Sequence, residues 1–131
     1  DVAAPGAVPL VRVHLTDTLR DMLGVRSDER SWSLRAVMKR VAASECGVIV
    51  LLRDTETPRA LADAVRALGA THTVLRRPAP SGGEVLRTYG VGAQILMDLG
   101  VQRMRVLSAP KHMFGISAFG LEIEGYADQD D

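Results

Sequence analysis

Residues 86–123 read LRTYGVGAQILMDLGVQRMRVLSAPKHMFGISAFGLEI, and the remainder of the chain is best read outward from them. Leu86, Tyr89, Ala93, Leu96 and Leu99 recur at helical spacing, and Gly100 supplies the stop. Met104 to Leu107 follows as a strand, and Leu121 to Ile123 reads as a short closing strand. Gly90 and Gly92 inside the helix cost about 1 kcal/mol each against alanine, so they predict close backbone packing. They are not a phosphate cradle, because GVG lacks a preceding strand and a full glycine-rich loop.

Upstream, Leu10 to Leu15 (LVRVHL) alternates as a half-buried strand should. Thr16 or Asp17 can cap a short helix carrying Leu19, Met22 and Leu23 and ending at Gly24, with a charged loop from Val25 to Ser31. Ser33 caps a second helix with Leu34, Val37, Met38, Val41 and Ala42 on one face. Gly47 closes it before the apolar run Val48 to Leu52, which reads as a buried strand. Thr57-Pro58 starts a third helix whose buried face is Leu61, Ala64, Val65 and Leu68, ending at Gly69. Thr71 to Leu75 is predicted as a strand and Arg77 to Gly83 as a loop. Strands alternating with helices of this length predict one α/β domain, a mixed sheet covered by helices.

The 131 residues, 47% hydrophobic, suit a single core. Sixteen basic and sixteen acidic residues cancel and are interspersed, so charge alone recruits no nucleic acid. One cysteine excludes an internal disulfide framework and, with no apolar run of membrane-spanning length, predicts a cytoplasmic protein. Residues 1–9 (DVAAPGAVP) read as a linker severed from something upstream, residues 10–125 as the domain, and residues 126–131 as an acidic tail.

The opening stretch resembles the C-terminal segment of the GTP cyclohydrolase II family, whose members read approximately RDYGIGAQILRDLGV, then MRLLTNNP, a basic pair and a GYGLEV end. The resemblance runs from about Leu10 to Ile123 and implies a zinc enzyme that opens the guanine ring of GTP, a dimer, with the zinc on three cysteine thiolates. Family members carry RVHSEC followed by LTGD. Here Arg12-Val13-His14 and then Leu15-Thr16-Asp17 are similar, with the residues around the first zinc cysteine read as deleted. The other two ligands, in CDCG before a helix QLEAAL, fall on Asp28 and Arg30, which cannot replace thiolates at a tetrahedral site.

The only cysteine, Cys46, reads as a small buried residue near the end of the second helix. No close Cys or His pair gives it, His14 and Asp28 ligand spacing. His14 is expected to be a hydrogen-bonded residue at a strand end, and Trp32 a lid on the core or an interface anchor. The resemblance implies four nucleotide-binding positions. Arg53 leads the segment similar to RQEGRGIGL, and Arg87 matches the arginine of ADLRDYG while the acid two residues earlier becomes Val85. Ser108 and Lys111 stand in a shortened TNNP-like turn, Ser108-Ala109-Pro110-Lys111-His112. Arg87 has an equally plain reading as a solvated first-turn arginine, and the 108–112 turn as an ordinary strand end.

The expectation is a degenerate GTP cyclohydrolase II-like domain without zinc or ring opening, structural or regulatory in role. Water is too weak a nucleophile at pH 7 unless a metal lowers its pKa. The resemblance implies riboflavin biosynthesis, an upstream 3,4-dihydroxy-2-butanone 4-phosphate synthase domain in the same chain and a homodimer, with weak GTP binding as an option. The alternatives are an active GTP cyclohydrolase II and a non-catalytic guanine nucleotide sensor.

Overall fold

The computed structural model describes residues 1–25, 32–53, 55–69, 82–108, 116 and 119–128. Four strands, β1 (Leu10–Leu15), β2 (Gly47–Leu52), β3 (Arg103–Leu107) and β4 (Glu122–Ala127), form one sheet in the order β2-β1-β3-β4. The three α-helices are α1 (Leu34–Ala42), α2 (Pro58–Gly69) and α3 (Gly82–Asp98). All three strand pairings are parallel, where a mixed sheet was expected. Parallel neighbours need crossovers of a dozen or more residues, and every connection in this chain is long enough to supply one.

Alternation along β1 gives each face of the sheet its own core. Val11 joins Val50, Ala93, Leu96, Val101, Met104 and Val106 on the face covered by α3, with Val13 packed against them. Leu10 joins Trp32, Val37 and Leu107 on the face covered by α1. Trp32 is therefore a core residue, as packing predicted. Gly92 is where α3 comes closest to the sheet: a Cβ there would lie 3.0 Å from both methyls of Val13. The glycine is present for close approach, as its cost implied.

Helix ends follow their local chemistry. Asp17 accepts from the Arg20 N–H at the start of a single wide turn, Thr18–Met22, in which the Leu23 N–H reaches back to the Thr18 carbonyl. Only Leu19 of its apolar residues is buried; Met22 and Leu23 face outward. Ser33 caps α1 through the Ala36 N–H, and Thr57 does the same for α2 through Ala60. At the end of α3 the Val101 N–H bonds the Leu96 carbonyl and the Gly100 N–H that of Met97, with Gly100 at φ +80°. This is the paired closure that a left-handed residue makes possible.

Four expectations need correction. α2 has no buried residue, and Val65 and Leu68 of its apolar face are nearly half exposed. β2 is an edge strand with Leu51 half exposed, so an apolar run did not mean burial on both faces. Leu99 is exposed, although it shares the spacing of the α3 core positions. β4 runs to Ala127, which is 1% exposed, and so extends past the closing strand read at residues 121–123. Parts of residues 1–9 touch the core. Pro9 is fully buried, Val2 packs on the core, and Ala3 sits where a Cβ on Gly100 would be, 2.8 Å away. The strand expected at Thr71 to Leu75 and most of the Arg77 to Gly83 loop lie outside the described residues, as do Asp28, Arg30, Lys111 and His112.

Candidate functional site

In a parallel α/β sheet, ligands bind beyond the carboxyl ends of the strands, where neighbouring connections diverge. From β1 the chain goes first to β2 on one side and returns later to β3 on the other, so the divergence falls between β1 and β3. A polar cluster occupies that point. Arg12, the third residue of β1, donates from Nη1 to the Leu107 carbonyl at the end of β3, 2.8 Å away. Two residues on, His14 is fully buried and its Nε2 lies 2.9 Å from Asp21 Oδ2.

Asp21 is the hub. Besides His14 it accepts the Asp17 N–H at 2.9 Å, the Leu34 N–H at 2.9 Å and the Arg20 Nε–H at 3.2 Å, with its side chain 7% exposed. Burial alone would raise its pKa, but the donations from Arg20, His14, Asp17 and Leu34 outweigh it and hold the carboxyl far below the usual range. An ionised Asp21 can only accept, so His14 must carry its proton on Nε2. Burial, opposed by the Asp21 bond and charge, lowers the His14 pKa and keeps the ring neutral at pH 7. Burial and the Arg20 charge, opposed by Tyr89 and Asp21, also lower the Arg12 pKa. His14 Nδ1 and Arg12 Nε are buried with no hydrogen-bond partner among the described residues.

Both shifts set one sign for acid stability. His14 is neutral when folded and takes a proton more readily when unfolded, so its contribution begins to be lost as pH falls below about 6.5. Asp21 stays ionised when folded, so its contribution begins to be lost below about 4. Each group costs up to about 1.4 kcal/mol per pH unit in its window. Urea midpoints measured from pH 8 to pH 3.5 should fall in these two stages. A flat profile between pH 7 and pH 5 would contradict a neutral buried His14.

Around this cluster the topology gathers part of the expected site. Arg53 follows the end of β2 and is exposed, and Ser108 follows the end of β3 and is buried. Arg87, exposed, lies in the first half of α3, whose far end leads to the start of β3, so it too belongs to the carboxyl-end side. Tyr89, half buried, lies near Arg12. Lys111 lies outside the described residues.

Arg12, Arg20 and Asp21 were not read from the sequence as site residues. One signal was available: in RVHSECLTGD the acid stands seven places after the histidine, and Asp21 stands seven after His14. On that spacing Asp17 stands where the first cysteine of the motif does.

A cysteine-held zinc does not fit this arrangement. Cys46, half buried, sits in the turn before β2, at the amino end of the sheet, and its carbonyl takes the Leu10 N–H. The six residues of β2 separate it from Arg53 by about 20 Å. Among the described residues no three His, Cys, Asp or Glu side chains gather to hold a metal ion, and no helix is long and apolar enough to cross a membrane.

The fold and cluster define a small α/β domain with a parallel sheet and a charged cluster at its switch point. The GTP cyclohydrolase II family model matches residues 2–128, and the chain belongs to that family. It is 44% identical over 117 residues to a 3,4-dihydroxy-2-butanone 4-phosphate synthase of Pseudomonas aeruginosa, covering 89% of this chain and 31% of that protein. A protein of the same name from Photobacterium phosphoreum is 38% identical over 123 residues, 93% of this chain and 32% of the relative. The riboflavin biosynthesis protein RibBA of Bacillus subtilis is 34% identical over 119 residues, 87% of this chain and 30% of the relative. The chain thus spans about a third of the length of these relatives, and riboflavin biosynthesis is the setting they define.

Proposed function

We propose that this domain no longer opens the guanine ring and serves a structural or regulatory role in a riboflavin biosynthesis protein. The observation that carries the proposal is the position of Cys46, the sole thiol of the chain, at the opposite end of the sheet from the charged cluster. A tetrahedral thiolate site needs several sulfur ligands converging within about 2.3 Å of the ion. Relatives named only for the synthase reaction, such as those from Pseudomonas aeruginosa and Photobacterium phosphoreum, support the reading. In the whole protein the domain would then accompany a 3,4-dihydroxy-2-butanone 4-phosphate synthase domain in the same chain and pair as a homodimer.

The test is metal analysis together with GTP turnover on the purified protein. The expected result is well under one zinc per chain and no formylated or ring-opened product. Near one zinc per chain with turnover would return the domain to the active GTP cyclohydrolases II.

A second reading has its own support. Arg12, Arg20, Arg53 and Arg87 all belong to the carboxyl-end side, where Asp17, Asp21 and Glu56 also stand. Guanidinium groups of this kind suit a nucleotide phosphate. Micromolar GTP affinity without turnover, reduced tenfold or more by Arg87→Ala, would select a guanine nucleotide sensor. A wild-type affinity weaker than millimolar would remove it.

A further inference from the structure

Two apolar stripes run along α3. Ala93 and Leu96 face the sheet and are buried, whereas Val91, Ile95 and Leu99 follow one another at four-residue spacing on another side and are each more than a third exposed. Positions four apart on a helix lie one above the other, so these three side chains make a continuous apolar edge open to solvent. Leu99 belongs to it because its N–H still bonds the Ile95 carbonyl. Arg87 stands at one end of the edge and Asp98 at the other, both exposed and three turns apart on the same face. Asp98 is also the last residue of α3, whose final turn carries no basic residue, so it adds to the partial negative charge that a helix end already bears.

We propose that this face of α3 pairs with the same face of a second copy of the chain, the two helices antiparallel about a two-fold axis level with Ala93. In that register Val91 meets Ile95 of the second copy, Ile95 meets its Val91, and Arg87 comes within one position of its Asp98. A two-fold axis uses every contact twice, so one arginine and one aspartate supply two ion pairs, and the negative end of each α3 gains the cation that its own last turn lacks. Parallel helices would instead set arginine against arginine and aspartate against aspartate, so the charges select the antiparallel arrangement. Removal of Val91, Ile95 and Leu99 from water supplies the attraction. A pair of 17-residue helices, each about 25 Å long, makes a contact at the low end of interface sizes, and a micromolar dissociation constant is expected. The surface rests on the homodimer put forward above, to which it gives a location, and is independent of whether zinc is held.

The experiment is sedimentation velocity of the purified protein, with circular dichroism melts to confirm that each variant is folded. The parent should pass from monomer to dimer between about 1 and about 200 µM. Ile95→Glu sets a carboxylate against the apolar stripe of the second copy and should weaken association by about tenfold or more. Arg87→Glu and Asp98→Arg should each weaken it by about fivefold, and the two together should restore it to within about twofold of the parent. Asp98→Arg also places a cation at the helix end, so its Tm should be no lower than that of the parent, which separates loss of pairing from loss of fold. A parent that stays monomeric at about 200 µM would overturn both the homodimer and this surface. A dimer indifferent to Ile95→Glu would overturn the surface and leave the homodimer standing. Reversals that fail to rescue each other would overturn the antiparallel register. If Ile95→Glu does not fold, Asp98→Arg and the double variant decide: weakening followed by rescue supports the surface, and no change in either overturns it. The zinc-free reading is untouched by any of these results, since metal analysis decides it.

Discussion

Leu107→Ala is expected to lower the unfolding free energy by about 4 kcal/mol. Leu107 is 0% exposed at the end of β3 and packs with Leu10, Trp32, Val37 and Ala127 on the α1 face. Truncation removes both the transfer energy of the side chain and the contacts across a cavity that rigid neighbours cannot close. A domain of this size has roughly 5–15 kcal/mol in total, so the variant would keep little reserve. The consequence reaches the charged cluster, because the carbonyl of the same residue accepts from Arg12. Urea unfolding checks the size of the effect, and a loss below about 1.5 kcal/mol would mean that Leu107 is far less tightly enclosed than its burial indicates.

Gly47→Val should destabilise by about 3 kcal/mol, against the direction that strand propensity gives. By propensity, a β-branched residue in a strand improves on glycine, and the neighbours Val48, Ile49 and Val50 follow that preference. The position forbids it. A Cβ on Gly47 would lie 2.6 Å from Val41 Cγ1 and 3.0 Å from the Leu10 carbonyl oxygen. Val41 belongs to α1 and Leu10 to the paired strand, so α1 and β1 both press on the first residue of β2. Gly47→Ala should cost less, because a single methyl needs a smaller shift of Val41. Urea unfolding of the two variants tests the order, and a stabilised Gly47→Val would show that α1 is free to move away from β2.

The elements that were legible share one property: their signal is local. Ser33 before an apolar face, Thr57 before Pro58 and Gly100 after Leu96 each announce a helix end through the backbone atoms nearest them, and the structure places caps at all three. The strand at Leu10 to Leu15 was likewise legible, but it was read as half-buried and both of its faces are covered. His14 was legible as a hydrogen-bonded strand-end residue because a buried imidazole requires a partner.

What was not legible depended on neighbours remote in sequence. The apolar spacing of α2 states that one face favours burial, yet it carries no information about what would cover it, and α2 has no buried residue. An apolar run such as Val48 to Leu52 reads alike for a central and an edge strand; the strand order alone separates them. The Asp21 hub escaped for a related reason. Its donors lie at positions 14, 17, 20 and 34, and only folding of β1 against α1 brings the first and last to one carboxylate.

By itself, then, the order of residues determined the family, the alternating α/β plan and the shortage of thiols, since each is written in adjacent side chains or in their number. The tertiary structure decided that all four strands run parallel, that the divergence between β1 and β3 carries the charged cluster, and that Cys46 stands at the other end of the sheet. Those are matters of distance between segments far apart in the chain, and distance is fixed only when the two cores close on the sheet and bring the strand ends together.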